Sequence, residues 1–211
     1  MQPIKALFVR ARSLLILSVS LLSGCATVVT VEGNIPTPLI ERLPLTAELV
    51  LTEDFVNYSY LESDKKRAIK QLDFSEAQIE MFRRVIGNVF ALTTEGVDAQ
   101  LKITPEVLSV QYSAPRETQL NIYEVFIKYR IKIETREAQK LADWVITGYG
   151  KTPTATFKSS EVAFNSATNV ALRDVGAQLV IGIPLQKSIK AMLQPKGNTV
   201  GDDLSSQEAL R

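Results

Sequence analysis

The chain has 211 residues, of which 45% are apolar and 22% charged, and its formal net charge is +1. This is enough apolar material for one packed domain, and too small an excess of base for a nucleic-acid-binding protein. With no histidine and a single cysteine, the chain has no imidazole catalysis, no His-based or Cys-cluster metal site and no intramolecular disulfide.

The first 24 residues have the three parts of a secretory signal. Lys5, Arg10 and Arg12 make a basic stretch without acids, residues 14–22 an apolar run, and Ser23 and Gly24 a small-residue step before Cys25. The apolar run is about half of the ~20 residues a spanning helix needs. Removing this leader leaves 21 basic and 23 acidic residues, a net charge of −2.

The stretch Leu22-Ser23-Gly24-Cys25 resembles the lipobox of bacterial lipoprotein precursors. The resemblance implies cleavage between Gly24 and Cys25, a diacylglyceryl group on the Cys25 thiol and acylation of the new amine. Two or more acyl chains anchor a protein firmly where one does not. Ala26, Thr27 and Val28 follow with no aspartate. By resemblance to the sorting of many Gram-negative lipoproteins, this implies the outer membrane, with the inner membrane as the alternative.

Residues 25–44 contain Pro36, Pro38 and Pro44, which discourage both helix and strand pairing, so the lipidated Cys25 and a flexible tether are expected there. A single α/β domain is expected over residues 45–194 and a polar, disordered tail over 195–211. Within the domain, residues 47–52 read as a first strand. Residues 55–60 and 67–72 read as a ragged hairpin around Glu62-Ser63-Asp64-Lys65. Ser75 and Gln78 form a capping-box pattern ahead of Ile79, Phe82, Val85, Ile86, Val89 and Phe90 at helical spacing, with Gly96 as the exit.

Three strands follow. Residues 100–112 are irregular, and Pro105 points to an edge or a bulge. Residues 121–135 alternate strictly, with Tyr123, Val125, Ile127, Tyr129, Ile131 and Ile133 on one side and Glu124, Lys128, Arg130, Lys132 and Glu134 on the other. Residues 141–151 are the partner across a turn at 136–139. A register in which Lys132 faces Asp143, Ile131 faces Trp144 and Tyr129 faces Ile146 keeps one face apolar and pairs unlike charges on the other. After Pro153, Ser159 or Ser160 starts an alanine-rich helix over residues 162–183, weakened by Gly176 and ended or kinked at Pro184. A short element over 185–193 packs back on the sheet.

This order predicts an α+β fold, a two-layer sandwich of a mostly antiparallel sheet with two helices packed on one face. The pattern over residues 45–52, 75–90, 120–150 and 163–180 resembles the amino-terminal domain of TolB-type periplasmic proteins and the lipopolysaccharide-assembly lipoproteins of the outer membrane. Fold alone does not fix function.

Candidate binding residues are Lys128, Arg130 and Lys132, a basic stripe suited to an anionic headgroup, lipopolysaccharide or an acidic partner. The plainer reading is a solvated face balanced by Glu124, Glu134 and Asp143. Lys65, Lys66, Arg67 and Lys70 form a second basic cluster, diluted by Glu62 and Asp64. Tyr112, Tyr123, Tyr129, Trp144 and Tyr149 are either sheet packing or the lining of a lipid or glycan groove. Gly148-Tyr149-Gly150 lacks the spacing of a phosphate loop and marks close approach of another backbone. No carboxylate spacing singles out a catalytic pair, and neither catalysis nor a cofactor is expected.

The expectation is therefore a membrane-anchored, periplasm-facing accessory in envelope assembly or transport, held by its acyl chains and docking on an envelope protein, through the irregular strand 100–112 or the charged face. The alternative is a lipid- or glycan-binding auxiliary subunit of an envelope transporter. An open groove lined by Phe82, Phe90 and Tyr129 favours the alternative, and a closed core the docking reading. No nucleic-acid partner is expected.

Overall fold

A computed structural model describes residues 27–64, 66–67, 69–94 and 98–194. The leader, Cys25, Lys65, Gly96 and the tail 195–211 lie outside the described residues. In chain order the elements are β1 (Thr27–Thr30), β2 (Thr46–Leu49), α1 (Glu53–Val56), β3 (Ser59–Leu61), β4 (Ile69–Asp73), α2 (Ser75–Val89), β5 (Ala91–Leu92), β6 (Leu101–Ser113), α3 (Pro115–Thr118), β7 (Ile122–Thr135), β8 (Lys140–Pro153), α4 (Ser160–Leu185) and α5 (Lys187–Leu193). They form the expected α+β sandwich, with five strands in the order β5-β2-β6-β7-β8 and a smaller sheet in the order β1-β4-β3.

The long ladders β6–β7 and β7–β8 are antiparallel, while β2 runs parallel to both β5 and β6. The register of β7 on β8 is the one that alternation predicts: Lys132 opposite Asp143, Ile131 opposite Trp144, Tyr129 opposite Ile146. One side of β7 is buried from Tyr123 to Ile133, because a one-residue slip would send six large apolar side chains to water. Across the turn, Ala138 adopts a positive φ of 62°. The irregularity expected of residues 100–112 is a bulge between Val107 and Ser109.

Both long helices cover the apolar face. α4 starts at Ser159, whose hydroxyl accepts from the Val162 N–H at 3.3 Å. It lies almost on the backbone of β8. A Cβ added at Gly148 would stand 2.3 Å from the Ala171 carbonyl oxygen, and one at Gly150 would stand 2.0 Å from that of Ala167. The Gly-Tyr-Gly stretch is thus where a strand meets a helix backbone, although the strand continues to Pro153. Pro184 sits in the last turn of α4, and α5 packs back through buried Ile189 and a Ser188 hydroxyl that donates to the Leu141 carbonyl at 2.8 Å.

Several expectations are corrected. From Thr27 onward, the segment expected as a tether is part of the fold. β1 pairs in parallel with β4, and Val29, Val31 and Ile35 are buried. Side chains from the helices satisfy its backbone, which proline-rich chain cannot do for itself. Asn169 accepts from the Asn34 N–H at 3.0 Å and donates to the Glu32 carbonyl at 2.9 Å. Arg173 donates to the Asn34 carbonyl at 2.7 Å, and Arg84 to that of Ile35. The domain therefore begins before residue 45.

The expected hairpin exists as β3–β4, with Tyr60 opposite Leu72, but its first arm is shorter. Glu53–Val56 is one helical turn instead, started by the Thr52 hydroxyl accepting from the Phe55 N–H at 3.3 Å. The capping box at Ser75 does not form. Phe74 holds the cap position, and the Asp73 carboxylate accepts from the Ser75 hydroxyl at 2.7 Å. Gln78 does not reach back because its amide is buried in the core. The helix ends at Val89.

Candidate functional site

The stripe Lys128, Arg130 and Lys132 lies on the outer, helix-free face of the main sheet, where the alternation of β7 puts it. Lys132 pairs with Glu106 at 3.2 Å, and Arg130 lies 3.5 Å from Asp143 and 4.0 Å from Glu106. Lys140 pairs with Asp143 at 2.8 Å, and its hydrogen bond leads the effects that hold the Asp143 carboxyl below its ordinary value. Lys128 is exposed and forms no ion pair among the described residues. The structure thus brings the three cations together, but Glu106, which alternation along β7 alone does not bring to this face, and Asp143 offset two of them. Exposed pairs of this kind are worth about 0–1 kcal/mol.

The aromatic residues divide between the two faces. Tyr149 stands on the outer face, stacked on Phe126 with ring centroids 4.8 Å apart, and donates to Glu124 at 2.6 Å. Tyr112, Tyr123 and Tyr129 are buried on the inner face, and Trp144 packs there half-buried. Phe82, Phe90 and Tyr129 have no exposed surface. Phe82 meets both Phe55 and Tyr129 edge to face, and the latter two are tilted against each other, with centroids 5.3–6.3 Å apart. Around these side chains the space between helices and sheet, where a groove would favour the lipid-handling alternative, is filled. At its centre Tyr129 donates to the Gln78 carbonyl oxygen at 3.0 Å, and the Gln78 amide donates to the Phe55 carbonyl at 2.8 Å. Burial pushes the Tyr129 phenol far above its ordinary value, so it stays a donor.

Arg67, read from sequence as part of a basic cluster, is instead the hub of an ion-pair network. It donates to Glu62 at 2.8 Å and, through two nitrogens, to both oxygens of Glu117 at 3.1 Å. Its guanidinium stands 4.6 Å over the Tyr112 ring. Burial works to raise the Glu62 carboxyl, but hydrogen bonds from the Asp64 N–H, Arg67 and Tyr60 outweigh it and hold the group below its ordinary value. Burial likewise raises the Tyr112 phenol. The network ties the β3–β4 loop to α3, and its second acid lies 50 residues away, beyond any local pattern.

The strand over residues 100–112 is flanked on both sides only at its start. β7 takes one side along most of its length and β2 the other over Leu101–Ile103. Among the described residues the rest of that side of β6 is unpaired with any strand, as is the outer side of β8, and α4 covers part of the β8 edge: Asp174 accepts from the Tyr149 N–H, and Gln178 donates to the Thr147 carbonyl at 2.9 Å.

An apolar groove of about 320 Å³ lies elsewhere, between the proline-containing segment and the outer side of α4. Its walls include Ile35, Leu39, Ile40, Val180 and Ile181, with Val85 and Gly176 at its base. Leu39 is 99% exposed and Ile181 65%. The sequence signal for this groove was a run of apolar residues between prolines, in a segment expected to be a solvated tether. Among the described residues no three Asp, Glu, His or Cys side chains converge on a metal-sized site, and no helix is long and apolar enough to cross a membrane.

No family model matches this chain, and no curated protein is similar to it in sequence. Among solved structures it is similar to the protein XCC0632 from Xanthomonas campestris, of family-model DUF330, at a TM-score of 0.55 and 12% identity, over 79% of this chain and 99% of that one. A minor lipoprotein from Acinetobacter baumannii aligns at a TM-score of 0.41 and 16% identity, over 70% of this chain and 94% of that one. The first likeness shows a shared fold.

Proposed function

We propose that the chain is an envelope lipoprotein, held to the membrane by acyl chains on Cys25, whose domain faces the periplasm and serves as a non-catalytic accessory in envelope assembly or transport. The lipobox stretch and the basic-then-apolar leader support the anchor. The absence of Asp after Cys25 favours the outer membrane. The pattern resemblance to lipopolysaccharide-assembly lipoproteins favours an assembly role.

The observation that carries the docking reading is the closed core. With Phe82, Phe90 and Tyr129 fully buried, the helix–sheet interior offers a small molecule no room, so the surface is what remains to act. Purifying the acylated protein from its own cells and identifying what accompanies it tests the reading. A stoichiometric envelope protein is the expected result. Bound lipid or glycan with no protein partner overturns it.

The groove beside α4 favours a second reading, a lipid- or glycan-binding auxiliary subunit of an envelope transporter. In that case Ile181→Glu, which places a charge on the groove wall, abolishes co-purification of the ligand and leaves acylation intact.

A further inference from the structure

We propose that the end of the domain nearest Cys25 is a membrane-apposed face that rests on anionic phospholipid headgroups. The inference rests on the lipoprotein reading above. Only Ala26 separates Cys25 from the first residue of β1. Two residues of chain reach at most about 7 Å. A lipidated Cys25 therefore leaves the start of β1 no room to stand off the bilayer.

The topology decides which surface arrives with it. β1 and β4 are parallel, with Thr27 beside Ile69. The Tyr112 hydroxyl donates to the Ile69 carbonyl at 3.0 Å, and Tyr112 lies opposite Val125, which lies opposite Gly150. The start of β4, the end of β6, the start of β7 and the end of β8 thus share one end of the molecule, and Arg67 binds α3 to it through Glu117.

This end is chemically distinct. Leu120 is 71% exposed, Leu61 70% and Val28 52%. Val28 and Leu61 both lie opposite Gln71, one on each side of it, so they share a face of the small sheet. Lys66, Arg116 and Lys151 are exposed and form no ion pair among the described residues. Two acids of this end, Glu62 and Glu117, are taken by Arg67. Glu124, which accepts from the Tyr149 hydroxyl, lies opposite Lys151, Lys158 and Glu161 lie near the start of α4, and Asp64 shares the loop of Lys66. Exposed leucines among unpaired cations suit the headgroup boundary, where apolar tips enter and cations meet phosphate.

With Cys25 acylated, a cysteine introduced on the surface is the only free thiol. The full acylated protein, carrying Leu120→Cys, Leu61→Cys or, at the opposite end, Glu137→Cys, is labelled with a fluorophore. It is then reconstituted into vesicles of phosphatidylethanolamine and phosphatidylglycerol that contain a headgroup nitroxide lipid. Expected is several-fold stronger quenching at positions 61 and 120 than at 137, weakening when phosphatidylcholine replaces both lipids. Equal quenching at all three positions, or none that depends on phosphatidylglycerol, overturns the inference. Mass spectrometry of the same sample separates the premises: an acylated Cys25 leaves the lipoprotein reading standing in that event, whereas an unacylated one removes that reading and this inference with it.

Discussion

The carboxylate of Asp174 accepts the backbone N–H of Tyr149 at 2.9 Å, so α4 closes the edge of the strand beside it with its own side chain. Gln178, one turn on, donates both to Asp174 at 3.0 Å and to the Thr147 carbonyl. An uncovered edge strand is a template for pairing with another chain. Asp174→Ala is expected to cost about 1 kcal/mol, the net worth of one hydrogen bond, and to raise concentration-dependent self-association. Denaturant midpoints and sedimentation velocity read the two effects. A variant as monomeric as the parent at high concentration would refute the edge-closure role.

The approach of α4 to β8 gives a test with an internal control. Gly150→Ala drives a methyl group to 2.0 Å from the Ala167 carbonyl oxygen, and Gly148→Ala drives one to 2.3 Å from that of Ala171. Backbone stands in the way in both cases, so each is expected to lose about 3 kcal/mol or more. Gly182, on the same helix, has nothing within 4 Å of a built Cβ. Gly182→Ala is therefore expected to gain up to about 1 kcal/mol from helix propensity. Thermal melts of the three variants should fall in opposite directions from the parent.

Tyr129→Phe removes the donor to a fully buried Gln78 and leaves its carbonyl oxygen unsatisfied, at a cost of about 1–3 kcal/mol. Gln78→Met strands the Tyr129 hydroxyl and leaves the Phe55 carbonyl only the longer bond from the Tyr58 N–H at 3.4 Å. The double variant should lose less than the sum of the singles, since the two side chains share one bond. A double-mutant cycle in urea measures this, and strict additivity would contradict it.

Acid should loosen the β3–β4 hairpin before the main sheet. The Glu62 carboxyl is held below its ordinary value of 4.5 in the folded protein. Its contribution is thus fully present above that value and is lost as pH falls through the depressed folded one. The stability gap between the parent and Glu62→Gln should be constant near neutral pH and shrink towards zero in acid. Hydrogen exchange at the β3 and β4 amides should rise over the same window. A gap that widens in acid has the wrong sign for this network.

How far the sequence reaches depends on how local the cause is. The β7–β8 register was legible because alternation and the opposed charges of Lys132 and Asp143 constrain it together, across a short turn. The glycines of β8 were legible as a close approach, though not as an approach to α4. The capping box at Ser75 was misread because Gln78 had two possible tasks, and the buried Phe55 carbonyl and Tyr129 hydroxyl claim its amide. The charged stripe was legible as a stripe, but its partner Glu106 comes from a neighbouring strand.

Taken alone, the residues determined the leader pattern before Cys25, the long amphipathic elements and the pairing of the central hairpin, all properties of neighbours along the chain. The three-dimensional arrangement decided the rest. It seated residues 27–44 through bonds such as Asn34 to Asn169, 135 positions apart, and brought the beginning of the fold within two residues of Cys25. Prolines report only that a segment cannot bond to itself; whether another part of the molecule supplies the missing donors and acceptors is settled when the helices pack.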